Sequence, residues 1–323
     1  MKKEIMNIIH REFLNTKTES CHASTIAFYN GIPIYAWFGG VQEGLPDSSI
    51  YVQVKNKVHK IHSGGIAMWN PVLFVVDEKL YMFYKQGIWC DRWQTKLIDL
   101  SNILDDKFKF NESKDLPAGL NGCVKCKPII IEDKIFCPSS VETIFNWSAW
   151  IEIYNKDLEF NKFYSVRRLG PFTVPTRQYE DNLGNKFNSL GIIQPSLWVN
   201  DGKINAFFRS SYGLGKIYHT YADLNDMKFI EPYPTKFDNP NSSVDCVFMN
   251  GFLYLVYNPS TKKRIPLVIN KLDKDFNIVD EIVISEKVSA MGYSYPFMIE
   301  NEQKLHLVYT HLRKNIEYCI IET

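Results

Sequence analysis

Two carboxylates, Glu43 and Asp47, stand four residues apart in the loop Gly39-Gly-Val-Gln-Glu-Gly-Leu-Pro-Asp-Ser-Ser-Ile. Glycines and a proline let that backbone turn sharply, and paired carboxylates are what acid–base work on a glycosidic bond requires. The plain alternative is a glycine-rich connection with two solvated acids. Further polar residues recur at the edges of apolar runs. His22, Asn70, Lys127, Gln194, Asp245 and either Tyr293 or Tyr295 open such runs. Lys85, Ser139 with nearby Glu142, Arg209, Asn258, and Thr310 with Arg313 close others. Any one of these could be a solvated strand end; their recurrence predicts a shared polar pocket. Cys123-Val-Lys-Cys126 has the spacing of half a metal site with no second pair nearby, so no metal and no other cofactor is predicted. Asn146-Trp-Ser and Asn241-Ser-Ser are glycosylation triplets that a chain without a secretory route leaves unmodified.

The elements that must position these groups repeat six times. His22-Ala-Ser-Thr-Ile-Ala-Phe, Asn70-Pro-Val-Leu-Phe-Val-Val, Lys127-Pro-Ile-Ile-Ile, Gln194-Pro-Ser-Leu-Trp-Val, Asp245-Cys-Val-Phe-Met and Tyr295-Pro-Phe-Met-Ile follow at spacings of 48, 57, 67, 51 and 50 residues. Each leads through a short turn into a second, aromatic-rich strand such as Lys79-Leu-Tyr-Met-Phe-Tyr. Strand units at this period predict a β-propeller, in which equivalent positions converge on one axis. Asn-Gly marks some turns as tight hairpins, while Asp-Glu and Glu-Asn-Glu-Gln read as looser polar loops. The sixth unit ends on its third strand, and Ile5–Leu14 is predicted to supply the fourth. Segment 161–190 reads as a strand and a long loop. The whole, residues 1–323, is expected to be one all-β domain: a six-bladed propeller closed by an N-terminal strand.

Composition narrows the partners. A net charge of +1, from 37 basic and 36 acidic residues, gives no reason to expect nucleic acid or an anionic membrane. No apolar run approaches the roughly 18 residues of a spanning helix. Seven cysteines, an odd number set mostly in apolar runs, read as buried thiols in a reducing compartment. The opening Met1-Lys-Lys-Glu-Ile-Met lacks an apolar signal core, so a cytoplasmic location is expected.

The motifs Cys21-His-Ala-Ser-Thr-Ile, Trp37-Phe-Gly-Gly, Asn70-Pro-Val-Leu-Phe, Gln194-Pro-Ser-Leu-Trp, Phe208-Arg-Ser-Ser, Asn239-Pro-Asn-Ser and Tyr293-Ser-Tyr-Pro come in an order that resembles the sialidase-like (BNR-repeat, predicted neuraminidase) family over about residues 20–320. The resemblance implies a six-bladed propeller that acts on carbohydrate. It implies Asp47 as acid/base and Tyr293 as nucleophile, with Tyr295 the alternative. Arg209 and Arg264 resemble two of the three arginines that clamp a sialate carboxylate. His22 stands where the first arginine belongs, and Gln194 where the nucleophile's Glu partner belongs.

Those departures matter chemically. A phenol titrates near 10 and needs a base to attack at neutral pH. Gln194 cannot take a proton, so Glu43 or Glu142 must substitute, or the tyrosine does not attack. His22 could act as a hydrogen-bond donor or general acid. The expectation is an exo-acting glycoside hydrolase for an acidic sugar, sialic-acid-like or uronic, with ordinary sialosides poor substrates. A lyase or transferase on an acidic sugar, and a non-catalytic glycan-binding propeller, stay open. His22, Asp47, Lys127, Glu142, Gln194, Arg209, Asp245, Arg264 and Tyr293 are expected to line one axial pocket. Asn70, Tyr295 and Arg313 complete the substrate-binding set, and oligomeric state is not legible.

Overall fold

A computed structural model describes residues 5–156, 158, 166–181 and 183–323. Left-handed turns begin the architecture. Asn30-Gly31, Asp77-Glu78, Asp201-Gly202, Asn250-Gly251 and Glu302-Gln303 all hold φ between 46° and 78°. That two-residue turn matches the twist of paired strands. Asp77-Glu78 and Glu302-Gln303 therefore depart from the loose loops expected of them. With Val76 paired to Lys79 and Asn301 to Lys304, only two residues remain to reverse the chain.

Among the described residues six antiparallel four-stranded sheets result; five are simple meanders, and the sixth takes its outer strand from the N-terminal segment. The first holds Ser20–Tyr29, Ile32–Gly40, Ser49–Val54 and Lys57–Ile61. The second holds Met68–Val76, Lys79–Gln86, Gln94–Asp99 and Lys114–Asp115, and the third Ile129–Ile131, Lys134–Glu142, Trp147–Asn155 and Arg167–Phe172. The fourth comprises Ile192–Asn200, Lys203–Ser210, Lys216–Asp223 and Tyr233–Asp238. Asp245–Met249, Phe252–Tyr257, Leu267–Leu272 and Ile278–Ser285 form the fifth. The sixth has Tyr293–Asn301, Lys304–His311 and Asn315–Glu322, and its outer strand is Asn7–Phe13, with Asn7 opposite Glu322 and Phe13 opposite Glu317. The sheets are the blades of a six-bladed propeller closed by an N-terminal strand. Within 161–190, Arg167–Phe172 is the expected strand, but a hairpin of Gln178–Glu180 with Lys186–Asn188 replaces much of the loop. Residues 161–165 lie outside the described residues.

The inner strands carry a device that the repeat alone does not announce. In four blades the pairing slips by one residue, between His22 and Thr25, Trp69 and Val72, Ile193 and Ser196, and Ser294 and Phe297. Ala23, Asn70, Gln194 and Tyr295 occupy these bulges with positive φ, and in three of them proline follows. Proline suits a bulge because it has no N–H to give to the ladder. The extra residue reverses the alternation of side chains on either side of it.

Side chains stitch neighbouring inner strands together. Thr25 Oγ1 accepts from Leu73 N at 3.1 Å, Ser196 Oγ from Cys246 N at 3.0 Å, and Asp245 Oδ2 from Met298 N at 2.8 Å. Around these stitches the core lies between blades, with Trp37, Phe83 and Phe297 in one cluster and Phe207 and Leu255 in another.

Candidate functional site

The connections after the second strands and those leading into each inner strand share one face of the propeller, because the turns between first and second strands lie at the other. On that face Arg209, near the end of Lys203–Ser210, is held beside Gln194 by the pairing of Ile193 with Arg209. Arg209 Nη1 donates to Gln194 Oε1 at 3.2 Å and to the Tyr295 phenol oxygen at 3.1 Å. Since a guanidinium only donates, Gln194 must turn its oxygen toward Arg209 and its amide nitrogen away. That nitrogen donates to Tyr295 Oη and to Glu142 Oε1, each at 3.2 Å. The phenol oxygen thus receives two hydrogen bonds, and Glu142 and Tyr295 flank one amide nitrogen.

Asn241 arranges the cations. Its side-chain oxygen accepts from Arg209 Nε at 2.9 Å, and its backbone oxygen accepts from Arg264 Nη2 at 2.8 Å. The Arg209 guanidinium also lies 5.2 Å from the centre of the Trp147 ring. Arg313, in the turn after Lys304–His311, forms an ion pair with Glu43. Burial, reinforced by repulsion from Arg209 and Arg313, pushes the Arg264 guanidinium down to about 10. Burial also opposes charge on Arg209, but Tyr295 and Glu142 outweigh it and hold that group above its ordinary value. The Glu142 carboxyl is raised, first by burial and also by Glu43, against the pull of Arg209 and Arg264.

His22 lies beneath this group, its ring 4.0 Å from that of Tyr295. Burial, and then Arg313, Arg264, Arg209 and Lys125, hold it far below the usual range, so it is neutral. Thr310 Oγ1 accepts from Ala23 N and also lies 2.9 Å from His22 Nδ1, so this hydroxyl ties the ring to the inner strand of its own blade. A cavity of about 670 Å3 opens outward from Arg264 and Arg313, with Glu43, Tyr212 and Met291 also in its walls.

The expected pocket is therefore only partly assembled as foreseen. Gln194, Arg209, Tyr295, Glu142, Arg264, Arg313, Glu43 and His22 come together. Tyr293 does not join them: its hydroxyl donates to Lys287 O at 3.1 Å and its ring packs on Tyr309 and His311. The bulge at Tyr295 reverses the strand's alternation and separates the two tyrosines. Asp47 is exposed, and its Oδ2 accepts from Val41 N at 2.7 Å across the base of its own loop. Asp245 is wholly buried, with Oδ1 accepting from Lys127 at 2.9 Å and Ser196 at 2.7 Å. In the repeat it corresponds to Ser196, not Gln194, and it acts as a stitch. Lys127 borders a different cavity with Phe28, Val75 and Asn301, at the opposite ends of the inner strands. Asn70 sits buried in the second blade's bulge.

Asn241 escaped the sequence reading as a site residue because its triplet suggested only glycosylation. Arg313 was legible as a nearby cation but not as a neighbour of Arg264, since it comes from the sixth blade's turn while His22 holds the expected place in the first. Among the described residues no group of three His, Cys, Asp or Glu could hold a metal ion, and no helix is long and apolar enough to cross a membrane.

Six four-stranded blades around a polar, arginine-rich axial site define a sialidase-like β-propeller. The chain belongs to the BNR repeat-like domain family, whose model matches residues 34–307. No curated protein matches it in sequence. Among solved structures, a protein of unknown function from Dyadobacter fermentans superposes with a TM-score of 0.74 at 12% identity, covering 98% of this chain and 99% of that one. Trypanosoma rangeli sialidase bound to the inhibitor DANA gives 0.66 at 10% identity, over 99% of this chain but only 58% of the sialidase. The N10 neuraminidase-like protein of a little yellow-shouldered bat influenza virus gives 0.58 at 8% identity, over 98% and 99%. At these identities the likeness is one of fold.

Proposed function

We propose that this protein is an exo-acting glycoside hydrolase for a sugar bearing a carboxylate, with Arg209, Arg264 and Arg313 receiving the carboxylate and Tyr295 attacking the anomeric carbon. The convergence of three arginines on one tyrosine carries the reading. Guanidinium groups match carboxylates in shape and charge, and their crowding is relieved by an anion. Structural neighbours crystallised with sialic acid and as a covalent intermediate with difluorosialic acid support a carbohydrate ligand in general.

In this scheme Arg209 and Gln194 point N–H groups at the phenol oxygen and hold it in place. Glu142, across the Gln194 amide, is the nearest identified base for the phenol proton. Glu43, on the glycine-rich loop at the cavity wall, is the carboxyl placed to protonate the leaving oxygen once the ligand takes its place on Arg313. Arg313 supplies the cation missing at His22, so ordinary sialosides re-enter the set to be tested alongside uronic acids.

A second reading, a glycan-binding propeller without turnover, is favoured by one observation: Asp47 is tied into its loop and Glu43 is held by Arg313. Tyr295→Phe separates the two. With a panel of chromogenic acidic glycosides, turnover of at least one is expected, falling about a hundredfold or more in Tyr295→Phe with binding retained. Binding without turnover in either protein selects the second reading. Absence of acidic-sugar binding refutes both.

A further inference from the structure

The loop that carries Arg264 also carries two cations that the scheme above leaves unused. Asn258-Pro-Ser-Thr-Lys262-Lys263-Arg264-Ile-Pro266 is pinned at its base: Asn258 Nδ2 donates to Pro266 O at 2.9 Å and to Tyr293 O at 3.1 Å, and Arg264 O accepts from Tyr293 N at 2.8 Å. Ser260 Oγ accepts from the backbone N–H groups of Lys262 at 3.1 Å and Lys263 at 3.0 Å, which shapes the tip. Both lysines border the 670 Å3 cavity. Neither has an acidic partner among the described residues, whereas Lys96, Lys127, Lys134, Lys156 and Lys216 all do.

The charge balance of this cavity is lopsided. Four cations line it, Lys262, Lys263, Arg264 and Arg313, against one carboxylate, Glu43, already held by Arg313. A chain whose net charge is only +1 has concentrated positive charge at one wall. A single carboxylate seated on the arginines leaves the two lysines unanswered, and they are exposed on the same cavity wall where Arg264 is half-buried.

We propose that Lys262 and Lys263 form a second anion subsite, so that the preferred ligand is an acidic oligosaccharide whose neighbouring units both carry negative charge. This rests on the reading of Arg209, Arg264 and Arg313 as the seat of the terminal acid. The second charge is either the carboxylate of another acidic sugar or a sulfate or phosphate ester on the adjoining unit; both are met by the same pair of ammonium groups. Exposed ammonium–anion pairs act mainly through charge and are screened by salt.

The test compares calorimetric affinities of the intact protein and of Lys262→Ala/Lys263→Ala for three saccharides sharing one terminal acid. These are the acid on a neutral unit, on a second acidic sugar, and on a sulfated unit, each at low and high salt. The intact protein is expected to prefer the dianionic ligands by about three- to thirtyfold, the range for two exposed pairs. The double variant should lose that preference while binding the monoanionic ligand unchanged. Which dianion shows the larger preference identifies the source of the second charge. Equal affinity for mono- and dianionic ligands in the intact protein, or a preference that survives the double substitution, overturns the subsite and leaves the arginine seat standing. If no acidic saccharide binds, the arginine seat falls and the subsite with it.

Discussion

Asp245→Asn tests whether the axial carboxylate is a stitch between blades or a ligand contact. In the intact protein it is wholly buried and accepts from Lys127, Ser196, Cys246 N and Met298 N, groups of the third, fourth, fifth and sixth blades. Burial alone raises such a carboxyl, but Lys127, Lys125 and the hydrogen bonds from Lys127 and Met298 outweigh it and hold it below the ordinary range. Removing one partner of a buried ion pair typically costs about 3–5 kcal/mol. Lys127 keeps Cys246 O at 2.8 Å and retains 19% side-chain exposure, which places the expected loss at the low end, about 3 kcal/mol. Urea unfolding followed by tryptophan fluorescence at pH 7 measures it. A depressed carboxyl contributes stability above its unfolded value, about 3.9, and loses it as pH falls through the folded value. The gap between the two proteins should therefore be full from pH 5 to 7 and narrow below about pH 4. Acidic-sugar affinity should not change. A loss under about 1 kcal/mol, the level of an exposed pair, or intact stability with lost sugar binding, refutes the stitch.

Asn241→Ala should weaken acidic-sugar binding about tenfold or more by freeing Arg209, and should cost about 1–3 kcal/mol of stability because the buried Arg209 Nε loses its acceptor; calorimetry and urea unfolding read the two effects. Glu142→Gln should stabilise the protein at neutral and higher pH. Its carboxyl is raised on folding, so the wild type loses stability as pH rises through that value, and the two proteins should converge near pH 4, as thermal unfolding across pH will show. Tyr293→Phe should leave turnover near wild type, since its hydroxyl faces Lys287. A loss comparable to that of Tyr295→Phe would put Tyr293 back in the chemistry.

The blade count was legible because each repeat must present an apolar inner strand followed by a second strand. The closing strand was legible because the sixth unit lacked a fourth. Site residues were harder, since a bulge leaves no mark at the level of alternation. Counting by two from Tyr293 puts Tyr295 on the same face, and only the slip between Ser294 and Phe297 separates them. A one-residue offset likewise hides that Ala23, not His22, is the first blade's equivalent of Asn70 and Gln194. The polar-Pro pairs at Asn70, Gln194 and Tyr295 mark bulges, but Lys127-Pro, a fourth such pair, marks none and Lys127 borders a different cavity; the blades without a pair, at His22 and Asp245, were likewise placed out of register. Arg313 and Asn241 sit in turns and connections, where the repeat fixes location but not which side chain reaches inward.

The pairing of Asn7–Phe13 with Asn315–Glu322 sets a clock on synthesis. The outer strand of the last blade leaves the ribosome ahead of the rest of that blade and waits for about 300 further residues, roughly 15–60 s at ordinary elongation rates, before its partner exists. During that interval it is an unpaired strand, the kind of edge that recruits other chains. Its own sequence answers the hazard: His10, Arg11 and Glu12 place three ionisable groups in seven residues, and most of the strand remains solvent-exposed even after docking. The last piece to lock is therefore one that water tolerates while it waits.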